Sequence, residues 1–148
     1  NHGISGNLTD HVIYRMEAAV KLAPRKLFLM IGINDILSGR TIDEVYRNTL
    51  TILDYILEHA KHTKIMVQSV LPVRISLLFE DGGINTDIYR LNHMLEKKCG
   101  TDDRLTYVDL HTEFLDAHGE MNMKFTFDGL HLNESGYGHW RDLIRELL

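Results

Sequence analysis

Cysteine is almost missing from this sequence: Cys99 is the only one in 148 residues. No disulfide can form within the chain, and nothing marks an oxidising compartment or excludes one. As a nucleophile Cys99 would need a helix N-terminus or a cationic neighbour. Lys97 and Lys98 near a helix end are weak support, so a structural or inert role is expected. Long apolar runs are absent too. The longest, Leu27 to Ile31 followed by Gly32 and Ile33, falls far short of the roughly 20 residues a membrane-spanning helix needs. Basic charge is scarce: 16 Lys and Arg stand against 21 Asp and Glu, a net charge of −5. The basic residues are scattered rather than striped, which argues against nucleic acid as a partner. There is no low-complexity tract and no repeat of fixed period. The sequence opens without Met and without a basic-then-apolar leader, so any targeting signal is expected outside these residues and the compartment stays open.

What is present suits one ordinary core. The composition is 44% hydrophobic and 25% charged, and the length predicts a single domain spanning residues 1–148. Leu27-Phe28-Leu29-Met30-Ile31 reads as a strand buried on both faces, ended by glycine. Thr41-Ile42-Asp43-Glu44 is a capping box. Apolar positions from Ile42 through Ala60 then predict a helix reaching about His62. Lys64 to Val70 predicts a second strand closed by Leu71-Pro72. After a loop containing Asp81-Gly82-Gly83, the residues Ile84, Ile88, Leu91 and Leu95 predict a helix. Leu105 to Asp109 predicts a third strand. Asn133 can cap a last helix carrying Trp140, Leu143, Ile144 and Leu147, and Asp10 to Leu22 predicts an earlier one with Val12, Met16 and Ala19 inward. Alternating strands and helices predict an α/β fold, a parallel sheet with helices on both faces. Chemistry in such folds collects at the carboxyl ends of the strands.

Three polar or glycine-marked segments fall where strands should stop: Asn1-His2-Gly3-Ile4-Ser5-Gly6, Gly32-Ile33-Asn34-Asp35 and Asp128-Gly129-Leu130-His131. The backbone N–H of Gly6 and the amide of Asn34 are donors of the kind that stabilise an oxyanion. Read alone, Gly32 to Asp35 could equally be a turn. Asp128 and His131, three apart, can pair so that the carboxylate holds one ring nitrogen and leaves the other as a base. The plainer alternative is a capping aspartate beside one of nine surface-prone histidines.

Taken in this order, the three segments resemble the GDSL esterase/lipase family, also called SGNH hydrolases. Its four blocks are a serine in Gly-Asp-Ser, a glycine, an asparagine in Gly-x-Asn-Asp and a histidine in Asp-x-x-His. The resemblance implies a flavodoxin-like three-layer sandwich and a serine ester hydrolase needing no cofactor. His131 would be the general base, Asp128 its orienting partner, and Gly6 and Asn34 two parts of the oxyanion hole. Asp35 would support the loop. The implied substrate is a small acyl ester, lipid or acetylated carbohydrate. The segment from Leu71 to Asn85, with Pro72, Arg74, Phe79 and Gly82-Gly83, should border the site. Arg74 there is a candidate to bind an anionic substrate group, with a surface salt bridge as the alternative.

The resemblance breaks at the serine block, because no Gly-Asp-Ser occurs in these residues. Ser5, Ser38, Ser69, Ser76 and Ser135 are each expected to play ordinary polar roles. The family's first strand, in mid-sheet, would be missing as well, leaving two exposed edges and an apolar interior. The expectation is a C-terminal portion of a longer hydrolase, inactive alone; otherwise an exchanged segment or partner chain fills the gap. Two further readings stay open. One is a non-catalytic α/β binding module. The other is a metal-dependent hydrolase using His59-x-x-His62, Asp109-x-His111 or the Asp128/His131 pair, although His59 and His62 at a helix end suit solvated histidines better.

Overall fold

A computed structural model of the chain describes residues 2–78 and 83–148. Phe79, Asp81 and Gly82, expected to border the site, lie outside the described residues, as does Asn1. The capping box forms: Glu44 N–H donates to Thr41 Oγ1 at 3.3 Å and Thr41 N–H donates to Glu44 Oε2 at 3.0 Å. It starts the helix Ile42–His59. That helix buries Ile42, Val45, Thr49, Ile52, Leu53 and Ile56, the single face that a period of 3.6 residues dictates. It stops three residues short of the expected end. Thr63 N–H donates to Ala60 O and Thr63 Oγ1 to Pro24 O, a turn that brings Lys64 level with Lys26 for strand pairing.

In chain order the elements are α1 (Thr9–Ile13), α2 (Met16–Lys21), β1 (Lys26–Leu29), α3 (Ile33–Leu37), α4 (Ile42–His59), β2 (Lys64–Gln68), α5 (Ile75–Leu78), α6 (Gly83–Cys99), β3 (Leu105–Val108) and α7 (Glu134–Ile144). The helix expected over Asp10 to Leu22 is two. Arg15, at φ −108° and ψ −2°, breaks the ladder while its guanidinium turns back to His2 O and Asn7 Oδ1. Ser76 lies on short α5.

The three strands form one parallel sheet in the order β1-β2-β3, with Leu27 level with Ile65 and Ile65 level with Leu105. Alternation along the strands assigns the two faces. Leu27, Leu29, Ile65, Val67, Leu105 and Tyr107 join α4 and α6 in the main core. Val108 and Met30 join a second core with Leu110, Phe114, Met121, Phe125 and, from α7, Trp140, Leu143 and Ile144. Helices therefore cover both faces, the three-layer arrangement expected. Fully buried residues such as Ile52 and Leu53 each contribute about 1.5–3 kcal/mol of burial. Trp140 Nε1 donates to the buried Oε1 of Gln68 at 2.9 Å, tying α7 to β2.

β1 is an edge strand among the described residues. Along it runs a groove of about 1110 Å³, lined by Leu27 to Ile31, by Met16 and Ala19 of α2, and by Gln68 and Trp140.

Candidate active site

Each predicted block takes its place from local physics. After β1 the chain reverses at Gly32, whose φ of +124° suits glycine and whose missing side chain makes room for Leu91 and Val45. This turn starts α3 and sets Asn34 and Asp35 in its first turn. Asn34 Nδ2 donates to Asn7 O at 3.0 Å. Asp35, wholly buried, accepts from Thr9 N–H at 3.0 and 3.2 Å, from Thr9 Oγ1 at 2.7 Å and from Arg40 Nη1 at 3.3 Å. Asn48 adds a bond to Thr9 Oγ1. The asparagine block thus grips the chain immediately after Gly6, and Asp35 holds the loop.

The last block is a tight turn built on one carboxylate. Asp128 Oδ1 accepts N–H bonds from Leu130 at 2.9 Å and His131 at 2.8 Å, while Oδ2 lies 2.7 Å from His131 Nδ1. The His131 bond, followed by the two backbone donors, holds the Asp128 carboxyl well below the usual carboxylate range. Beneath them Thr126, 1% exposed, donates to His131 O and accepts from Gly129 N–H. The His131 ring is largely exposed, with its second nitrogen turned from Asp128. An ion pair so open to water adds little stability; what it fixes is the orientation of the ring.

The second segment is thus bonded to Asn7 and Thr9, the residues that follow the first. The third meets the segment after β2 through a bond from Arg74 N–H to Gly129 O at 2.8 Å. Asn7, Asn34 and Leu130 all line the groove beside β1. Arg74 spends its guanidinium on Asp116 Oδ2 at 2.7 Å, near Glu120. Ser69, just past β2, is buried and accepts N–H bonds from Leu110 and His111; Ser38 Oγ donates to Asn34 O. His59 stacks on Tyr55 and bonds its carbonyl oxygen. Among the described residues no three His, Cys, Asp or Glu side chains are grouped so as to hold a metal ion, and no helix there is long and apolar enough to cross a membrane. Sequence reasoning missed Thr126 and the Asn85 and Asn92 amides described below, whose partners show only in three dimensions.

The described residues thus form a parallel three-layer α/β scaffold carrying a histidine–aspartate pair and an asparagine turn that follows β1. The model of the GDSL-like Lipase/Acylhydrolase family matches residues 1–139, and the chain belongs to that family. It is similar to platelet-activating factor acetylhydrolase IB subunit alpha1 of Bos taurus, 23% identical over 93% of this chain and 57% of that protein. It is also similar to N-acylneuraminate cytidylyltransferase of Streptococcus agalactiae serotype V, 28% identical over 72% of this chain. The chain thus spans little more than half of the first of these relatives and 24% of the second is matched. In fold it resembles the crystal structure of a GDSL-like lipase from Bacteroides thetaiotaomicron, with a TM-score of 0.87 and 22% identity over 99% of this chain and 73% of that one.

Proposed function

We propose that residues 1–148 carry the base and the oxyanion donors of a serine ester hydrolase whose nucleophile comes from outside them. The observation that carries this reading is the 2.7 Å contact between His131 Nδ1 and Asp128 Oδ2, which leaves Nε2 as the free base. His131 takes the proton of the serine hydroxyl as its oxygen attacks the acyl carbonyl. It returns that proton to the leaving alkoxide, and water then releases the acyl group by the same steps. Asp128 keeps the ring in the Nδ1–H tautomer and stabilises the imidazolium. Asn34 uses one amide hydrogen on Asn7 O; the other, with the Gly6 N–H, faces the developing oxyanion.

The substrate class is a small acyl ester, lipid or acetylated carbohydrate. The half-buried apolar residues of β1 and α2 along the groove support a further strand there, supplied by the longer protein, an exchanged segment or a partner chain. On this account the 148 residues form one domain's C-terminal portion and hydrolyse nothing by themselves.

A phosphonate probe that reacts only with an activated serine tests the proposal on the full-length protein, together with a panel of short and long acyl esters. Labelling of a serine that His131→Ala abolishes is the expected result. Absence of both labelling and ester turnover means a non-catalytic binding module.

A further inference from the structure

We infer that Arg74 is a positioning residue for the Asp128–His131 turn, acting from behind it and not on the substrate. The inference rests on the reading of that pair as catalytic. Three contacts carry it.

The Arg74 N–H donates to Gly129 O at 2.8 Å, in the middle of the turn. Gly129 has φ +83°, and a Cβ there would lie 3.0 Å from both Arg74 Cβ and Arg74 O, so the two backbones are pressed together. Beyond them the Arg74 guanidinium reaches Asp116 Oδ2 at 2.7 Å and Met121 O at 3.4 Å, with Nε 3.7 Å from Glu120. Both ion-pair partners are mostly covered, Arg74 at 24% and Asp116 at 16% side-chain exposure. Asp116 is itself held, its Oδ1 accepting N–H bonds from His118 and Glu120. The Glu120 bond leads the interactions that lower its carboxyl to about 2.

The segment bearing Arg74 is also anchored from the opposite side. Asn92 of α6 bonds both N–H and C=O of Val70, at 2.8 and 2.9 Å, and Asn85 bonds both groups of Val73, each at 2.8 Å. Each amide stands in for a neighbouring strand's peptide group. Gly129 therefore rests on a brace fixed at α6 and at the turn around Asp116, and Arg74 closes the second of those ties. Because Asp128 needs the backbone N–H groups of Leu130 and His131 in place to aim its other oxygen at the ring, a looser Gly129 lets the imidazole drift.

The test uses the full-length protein with Arg74→Met, Arg74→Lys and Asp116→Asn. Ring ¹⁵N shifts of His131 report its tautomer, and kcat and KM are measured on one neutral and one anionic ester. The expected result for Arg74→Met is a mixed tautomer population and a kcat lower by about 10- to 100-fold, with KM unchanged on both esters. Asp116→Asn follows it in direction, and Arg74→Lys retains most of the wild-type behaviour. A rise in KM confined to the anionic ester overturns the inference, as do unchanged ring shifts and kcat in both Arg74→Met and Asp116→Asn. If His131→Ala keeps full activity, the catalytic reading fails by itself, and the ring shifts still decide the positioning role.

Discussion

His131 Nδ1 lies 2.7 Å from Asp128 Oδ2, and the same carboxylate's other oxygen holds the backbone N–H groups of residues 130 and 131. One side chain thus shapes the turn and orients the ring it presents.

Substituting Asp128 separates these two duties. Asp128→Asn keeps an oxygen for the backbone donors and loses the negative charge facing the ring, so the expected result is a kcat lower by about 10⁴-fold in the full-length protein. Asp128→Ala lowers melting temperature as well, because the turn loses both backbone bonds. Calorimetry beside steady-state kinetics checks the contrast.

Asn34 and Asp35 are adjacent but should fail differently. Asn34→Ala lowers kcat by about 100- to 1000-fold with a smaller change in stability. Asp35→Ala removes a buried acceptor of Thr9 N–H, Thr9 Oγ1 and Arg40; at about 1.5–3 kcal/mol for a bond to a charged group, urea unfolding should show at least that loss.

The groove beside β1 predicts an apolar site that a further strand would fill. An environment-sensitive dye such as anilinonaphthalene sulfonate should brighten on the 148-residue chain and stay dim on protein in which the sheet is extended past β1. Equal brightness in both forms contradicts a strand at that edge.

Burial pushes the Cys99 thiol up to about 11. At neutral pH it stays protonated, so alkylation by iodoacetamide should be slow in the folded protein and fast after denaturation.

His111 gives a pH dependence with a defined sign. Burial lowers its pKa from the ordinary 6.5, and its buried Nε2 has no hydrogen-bond partner among the described residues. Below pH 6.5 the unfolded chain takes up a proton there that the folded chain resists. Stability should therefore fall as pH drops below 6.5, and His111→Phe should flatten that part of the profile in chemical denaturation.

The parts legible in the sequence were those written in local patterns. The apolar runs at 27–31 and 64–70, the capping box at Thr41 and the pairing of Asp128 with His131 each depend on residues within a few positions of one another. The break at Arg15 escaped, because Val12, Met16 and Ala19 keep a helical period straight across it while the break is made by contacts to His2 and Asn7. The brace behind Gly129 escaped for the same reason. Arg74 and Asp116 lie 42 residues apart and Asn92 and Val70 lie 22 apart, and no local spacing announces such pairs. In the sequence Arg74 reads either as a binder of an anionic substrate group or as a member of a salt bridge, and the fold pairs its guanidinium with Asp116.

The central claim, that His131 is a general base for ester hydrolysis, is tested most directly by the turnover of a short acyl ester at neutral pH. Full-length wild-type protein should turn it over, and His131→Ala should lose at least about 1000-fold in kcat while unfolding at the same temperature. Equal turnover by the two proteins would contradict the account.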